Sequence, residues 1–211
     1  MDDSAQRVYG PEHTLLWALL LLRAMHKAGM VRSDNRRFHR LVYFANTLAR
    51  LYDFQPPAVV VMRLPRGPFY PQAQRDLDRL CVMGLAEVRD YQLLRHDDAV
   101  ERRGCYDISS AGFRVCEEVA GSGWARAASN FLFDVCLAYA NIDQDFKAED
   151  EDFNYQRPST ESAPVFNFRT AQQNLSVRVT DQLRDSRPSD FRPIPQHALK
   201  VYLRYLQRLA A

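Results

Sequence analysis

Apolar positions recur at helical spacing along several stretches of this chain and crowd into short β-branched or alternating runs between them. Gly10-Pro11-Glu12 opens the first pattern, with proline in a first turn where its missing N–H costs nothing. The run continues to about Ala28, is apolar nearly all round, and stops at Gly29, which predicts a buried central helix. Ser33 or Asp34 is placed to cap a second helix, in which Phe38, Leu41, Val42, Ala45, Leu48 and Ala49 line one face. Gln55-Pro56-Pro57 closes it, and AVVVMRL at residues 58–64 is short and β-branched, hence a strand or extended connector.

Pro68 and Pro71 then hold the backbone extended before a third helix, whose inward stripe is Ala73, Leu77, Leu80 and Cys81. Gly84 ends it. Residues 85–88 read as a strand, the charged excursion RHDDAVERRG as a hairpin tip, and Cys105 to Ile108 as the returning strand. Ser109 or Ser110 caps a further helix. Helix, strand, loop, strand and helix in that order are the arrangement expected of a winged helix, so the expected class is mainly α with a small β-hairpin, an α+β fold.

Gly121-Ser122-Gly123 precedes a helix from about Trp124 to Asn141. Between Asp143 and Asp152 six acids face one base, and residues 156–164 are rich in Pro, Ser and Thr. Composition of this kind favours a flexible linker. The expected organisation is a helical winged-helix-like domain over 1–142, an acidic linker over 143–164, and a C-terminal docking segment over 165–211 ending in an amphipathic helix. No internal repeat is seen.

Charge sharpens that division. The formal net charge is only +2, but residues 117–161 carry ten acids against three bases, while the tail from 162 onward carries eight bases against three acids. Cys81, Cys105, Cys116 and Cys136 lie among apolar residues with no CxxC pair, which suits buried thiols in a reducing cytoplasm and implies neither zinc nor disulfides. The apolar run at Leu15 to Leu22 is far short of the ~20 residues of a membrane span, and Asp2, Asp3 and Glu12 stand where a signal peptide would carry bases. A cytoplasmic protein without a membrane anchor is expected.

Catalytic patterns are lacking: there is no Walker sequence, HExxH, GxSxG or glycine-rich dinucleotide turn. Asp143, Asp145 and Lys147 resemble a nuclease fragment, but a metal site needs ligands on rigid elements and these sit in the acidic tract. His13, His26 and His39 are thirteen residues apart and define no ligand face. No enzyme, cofactor or metal is expected.

Binding surfaces are better represented. The third helix offers Gln72, Gln74, Arg75, Asp76, Asp78 and Arg79 outward, where two bases cancel two acids, and the hairpin sets Asp97, Asp98 and Glu101 against Arg95, Arg102 and Arg103. Repulsion between carboxylates and phosphates opposes base reading by such a helix, which is expected to contact protein or serve as scaffold. Arg32, Arg36, Arg37 and Arg40 cluster at the start of the second helix, three of them at i, i+4 and i+8, and suit non-specific contact with a DNA backbone. A solvated helix end beside the acidic tract is the plainer alternative. At the C-terminus Val201, Tyr202, Tyr205, Leu206 and Leu209 form an apolar face beside Lys200, Arg204 and Arg208. Two readings stand for it, docking onto its own domain or an anchor offered to a partner.

The pieces LVYFANTLARLYDF, RGPFYP and RDLDRLCVMGLAEV, between Leu41 and Val88, resemble the middle component of bacterial ABC-three-component defence systems, including the middle subunit of Lamassu-type antiphage systems. More distantly they resemble the Panacea antitoxin domain. The likeness covers about a quarter of the chain and departs from the pattern in the Gly-Pro turn, where Tyr70 stands in place of a Ser-like cap. It implies a non-enzymatic subunit that bridges an SMC- or Rad50-like ATPase, which senses DNA ends, and an effector, commonly a nuclease. A stand-alone regulator, either a Panacea-type antitoxin or a winged-helix transcription factor, is the alternative expectation.

Overall fold

The structure, a computed structural model, describes residues 11–49, 52, 54, 60–64, 67–96, 99–141, 165–167, 180–182, 197 and 201–202. Within them helices predominate over two small antiparallel sheets, which makes the fold α+β. Helix α1 (Pro11–Lys27) is the central post, burying Trp17 to Leu22, Ala24 and Met25. It packs against the other four helices and against β5 of the larger sheet, which is why its sequence shows no polar face. Gly29 lets the chain leave α1 through a left-handed turn at φ +81°.

Strand β1 (Ser33–Asp34) is two residues long, and helix α2 (Asn35–Ala49) follows at once. Asp34 Oδ1 accepts the Arg37 N–H at 2.8 Å, the side-chain cap that its position suggests. Strands β2 (Val60–Leu64) and β3 (Gly67–Phe69) form an antiparallel pair that sits on α2 and α3. Then come α3 (Pro71–Val82), the hairpin β4 (Ala86–His96) and β5 (Ala99–Ile108), α4 (Ser110–Val119) and α5 (Gly123–Ala140). The larger sheet has the order β1-β5-β4, so β4 is an edge strand.

The hairpin is longer than its apolar pattern suggests. Residues 95–104, expected as a tip, mostly belong to the two strands, whose register runs from Ala86↔Ile108 to His96↔Ala99. A bulge between Arg89 and Gln92, with Asp90 at φ +53°, twists the ribbon midway. Beyond that bulge the ribbon leaves the core, so its side chains need not alternate between apolar and polar.

Strand β6 (Val165–Asn167) completes the smaller sheet, pairing antiparallel with β2 in the order β3-β2-β6. The C-terminal segment therefore does not stand apart as its composition suggests: chain from beyond residue 164 adds a strand to the N-terminal unit. The acidic tract itself lies outside the described residues.

Ser109 joins α3 to α4. Its Oγ donates to the Gly84 carbonyl at 2.7 Å and accepts the Gly112 N–H at 3.0 Å. Gly112 is required there, because a Cβ would stand 2.2 Å from the Leu85 carbonyl oxygen and 2.8 Å from Ile108 Cγ1. Gly112→Ala must push α4 off the hairpin base, and an overpacking cost of about 2 kcal/mol is expected in urea unfolding. An unchanged unfolding midpoint would show that α4 is not seated this closely.

Candidate functional site

Helix α3 is mounted on a buried polar chain. Tyr70 precedes it without a side-chain cap, and Pro71 occupies its first turn, so one N–H that would need a cap does not exist. The Tyr70 ring is buried in the core, and its backbone N–H donates to His39 Nδ1 at 3.2 Å. That bond fixes the imidazole with its proton on Nε2, which donates to Gln74 Oε1 at 3.1 Å. Gln74 Nε2 then donates to Asp78 Oδ1 at 3.0 Å and approaches the Tyr106 hydroxyl at 3.5 Å. Arg102 on β5 closes the chain on Asp78 Oδ2 at 3.1 Å, and Asn35 Nδ2 donates to the Arg102 carbonyl at 2.8 Å. Buried bonds through His39 and Gln74 thus join helix α2 to helix α3, and the more exposed Arg102–Asp78 pair and the Asn35 bond reach the hairpin. Burial pushes the Tyr106 hydroxyl up to about 12, so it remains neutral and available as acceptor.

This network changes the surface of α3. Gln74 and Asp76, expected outward, are buried; Asp76 is only 1% exposed and receives Gln72 Nε2 at 3.1 Å, with Arg79 at 3.7 Å. Asp78 is half-covered and held by Arg102. The exposed residues of α3 are Arg75, Arg79 and Val82, with Met83 just after it. Val82 is 89% exposed, and on the neighbouring edge strand Leu93 is 61% and Tyr91 49% exposed, with Val88 also open. These apolar residues stand among exposed charged ones, Arg75 and Arg79 on α3 and Arg89, Arg95 and Arg102 on the hairpin. Sequence reasoning missed the apolar ones, although Val82 and Met83 fall off the inward stripe of α3, Tyr91 lies in the bulge and Leu93 just beyond it, where the ribbon leaves the core.

The four arginines expected to act together are split. Arg36, Arg37 and Arg40 occupy the first two turns of α2, partly buried, and Arg37 reaches Ser33 Oγ at 3.4 Å. Arg32 is not on that helix. It lies in the turn before β1 with φ +52°, so the i, i+4, i+8 stripe is interrupted by a strand, and Arg32 instead faces β4 and β5.

Of the C-terminal anchor residues, Tyr202 agrees with the first of the two readings, docking onto its own domain, and not with the partner anchor. It is fully buried in the protein's own core, its hydroxyl 2.6 Å from that of Tyr43 and its ring edge-on to Phe44. Docking on its own domain is therefore the role of Tyr202, because the apolar surface of α2 was available within the same chain. Val201 is exposed. Tyr205, Leu206 and Leu209 lie outside the described residues, as do Asp143, Asp145 and Lys147.

The histidines serve three separate contacts: His13 beside Glu12 and the Trp124 ring, His26 on Asp107 at 2.7 Å, and His39 in the network above. Burial raises the thiols of Cys81 and Cys116 to about 11 and that of Cys136 further, which keeps all three unreactive near neutrality. Among the described residues no three potential metal ligands gather, and no helix is long and apolar enough to cross a membrane. No family model, curated protein or solved structure matches this chain.

Proposed function

We propose that this chain is a non-catalytic, winged-helix bridging subunit, which docks an SMC- or Rad50-like ATPase and an effector in an antiphage complex. The winged-helix reading is supported by the sheet order β1-β5-β4 around α1, α2 and α3, with β2 and β3 inserted between the last two helices. One observation carries the docking role. Beside Arg75 and Arg79, the surface that a DNA-binding winged helix would turn to the duplex exposes Val82, Met83, Val88, Tyr91 and Leu93. Exposed apolar side chains on the end of α3 and on the edge strand that follows it favour a protein partner over phosphates. The likeness of the segment from Leu41 to Val88 to middle components names the class of that partner.

Co-expression with a long coiled-coil ATPase and its companion effector tests the reading. Tyr91→Ala combined with Leu93→Ala is expected to weaken assembly by at least about tenfold while lowering the melting temperature only slightly, because Leu93 is 61% and Tyr91 49% exposed. Assembly of the double variant at wild-type affinity would count against this surface. The regulator reading keeps one observation in its favour: Arg75 and Arg79 are exposed on α3 while Asp76 is turned inward. Sequence-specific duplex binding lost in Arg75→Ala with Arg79→Ala, without any ATPase partner, would move the assignment to a DNA-binding regulator.

A further inference from the structure

A recess of about 120 Å³ lies on the face of the larger sheet away from α3, lined by Val31, Arg32, Glu87, Arg89, Cys105 and Asp107. Its floor follows from the strand register, since Arg89 is the cross-strand neighbour of Cys105 and Glu87 that of Asp107. Arg32 leans in from the turn between α1 and β1. We propose that this recess binds a single phosphate group, held between the guanidinium groups of Arg32 and Arg89.

Three observations carry the assignment. Two arginines from different elements converge on one small concavity, and planar guanidinium forks match an oxyanion bidentately. Each carboxylate beside them has a partner of its own: Asp107 Oδ1 accepts from the Ile108 N–H at 2.9 Å and lies 2.7 Å from His26 Nδ1, and Glu87 Oε2 lies 3.2 Å from Arg89. An ion pair between two half-exposed groups contributes little, so an arriving phosphate can draw Arg89 from Glu87. Arg32 is held at φ +52°, a conformation that costs a side-chain-bearing residue, and its guanidinium makes no hydrogen bond or ion pair among the described residues. A strained, uncommitted cation over a recess is accounted for by an anion that it receives. The recess is too small for a nucleoside, so the phosphate is presented from outside, either by a nucleic-acid backbone or by a small phosphorylated molecule. This inference does not depend on the bridging role.

Titration of the full chain with inorganic phosphate at low ionic strength, followed by amide chemical shifts around Arg32 and Cys105, tests it. Millimolar saturation is expected in the wild type, at least about tenfold weaker binding in R32Q and in R89Q, and unchanged binding in R114Q, on the exposed face of α4. E87Q is expected to bind more tightly, because it frees Arg89 and removes an opposing charge. Arg32→Gly separates ligand binding from folding: glycine accepts the left-handed turn, so thermal stability is kept or raised while phosphate binding is lost. Wild-type affinity in R32Q and R89Q, or no tightening in E87Q, would overturn the site. A parallel titration with a short DNA duplex identifies the source. Duplex affinity that falls with phosphate affinity in R32Q assigns backbone phosphates, and duplex affinity untouched by R32Q assigns a small phosphorylated ligand.

Discussion

Replacing Tyr202 with Ala is expected to destabilise the folded chain by about 4 kcal/mol, the scale for deleting a buried aromatic ring. The ring is 0% exposed, stands edge-on to Phe44 at 6.5 Å between centroids, and brings its hydroxyl to 2.6 Å from that of Tyr43 on α2. Removing it leaves a cavity beside Phe44, whose ring also packs on Tyr139. Tyr202→Phe keeps the ring and loses only the hydroxyl bond, so about 1 kcal/mol is expected. Val201→Ala, one residue away but exposed, should be close to silent. Urea unfolding of the three variants gives the order directly. A Tyr202→Ala protein with the wild-type midpoint but a defect in assembly would restore Tyr202 as a partner anchor.

The tyrosine also shows where sequence reasoning runs out. An apolar helical face at a chain end reads the same whether it covers a neighbour's core or its own, because periodicity reports that a face is buried and not by what. The answer depends on α2, 159 residues away in sequence, whose Tyr43 meets Tyr202. By contrast α1 and α5 were legible almost to the residue, and α2 at its start. Pro11, Gly29, Asp34 and the glycine-flanked Ser122 are local stop and start signals, and local signals survive without tertiary context. The short strands were not legible: β1 has two residues and β3 and β6 three each, too few for any alternation to register.

The surface of α3 was misread for a related reason. Helical geometry places Gln74 and Asp76 beside the apolar stripe, and counting them as outward assumes that polar side chains seek water. Here Gln74 finds His39, Asp78 and Tyr106, while Asp76 finds Gln72 and Arg79, so both are buried with partners. A buried histidine on α2 facing the start of α3 would have signalled that network, but nothing in the spacing of His39 distinguishes it from His13 or His26. Arg32 was misassigned because a two-residue strand separates it from α2, and a four-residue repeat of arginines runs through that break unnoticed.

Acidification is expected to weaken the fold through His39 in a defined window. The unfolded chain takes up that proton near the ordinary value of 6.5, whereas burial lowers the folded-state value to about 4, only partly offset by the Gln74 bond. The geometry agrees, because a second proton would have to sit on Nδ1, which already accepts the Tyr70 N–H. A depressed folded-state value means that the unfolded chain binds more protons than the folded one below about pH 6.5. The neutral imidazole therefore contributes its full stability above that point, loses it progressively as pH falls, and has lost it by about pH 4. At 1.36 kcal/mol per unit, the decline attributable to His39 between about pH 7.5 and pH 4.5 is roughly 2.5 kcal/mol. Urea unfolding of the wild type and of His39→Gln at both pH values isolates it, since the remaining titrating groups are common to the two proteins. The variant is expected to be less stable than the wild type near neutrality and to close most of that gap in acid. Parallel pH dependences in the two proteins would mean that His39 is solvated or charged in the folded state, and the polar chain from Tyr70 to Arg102 would lose its central member.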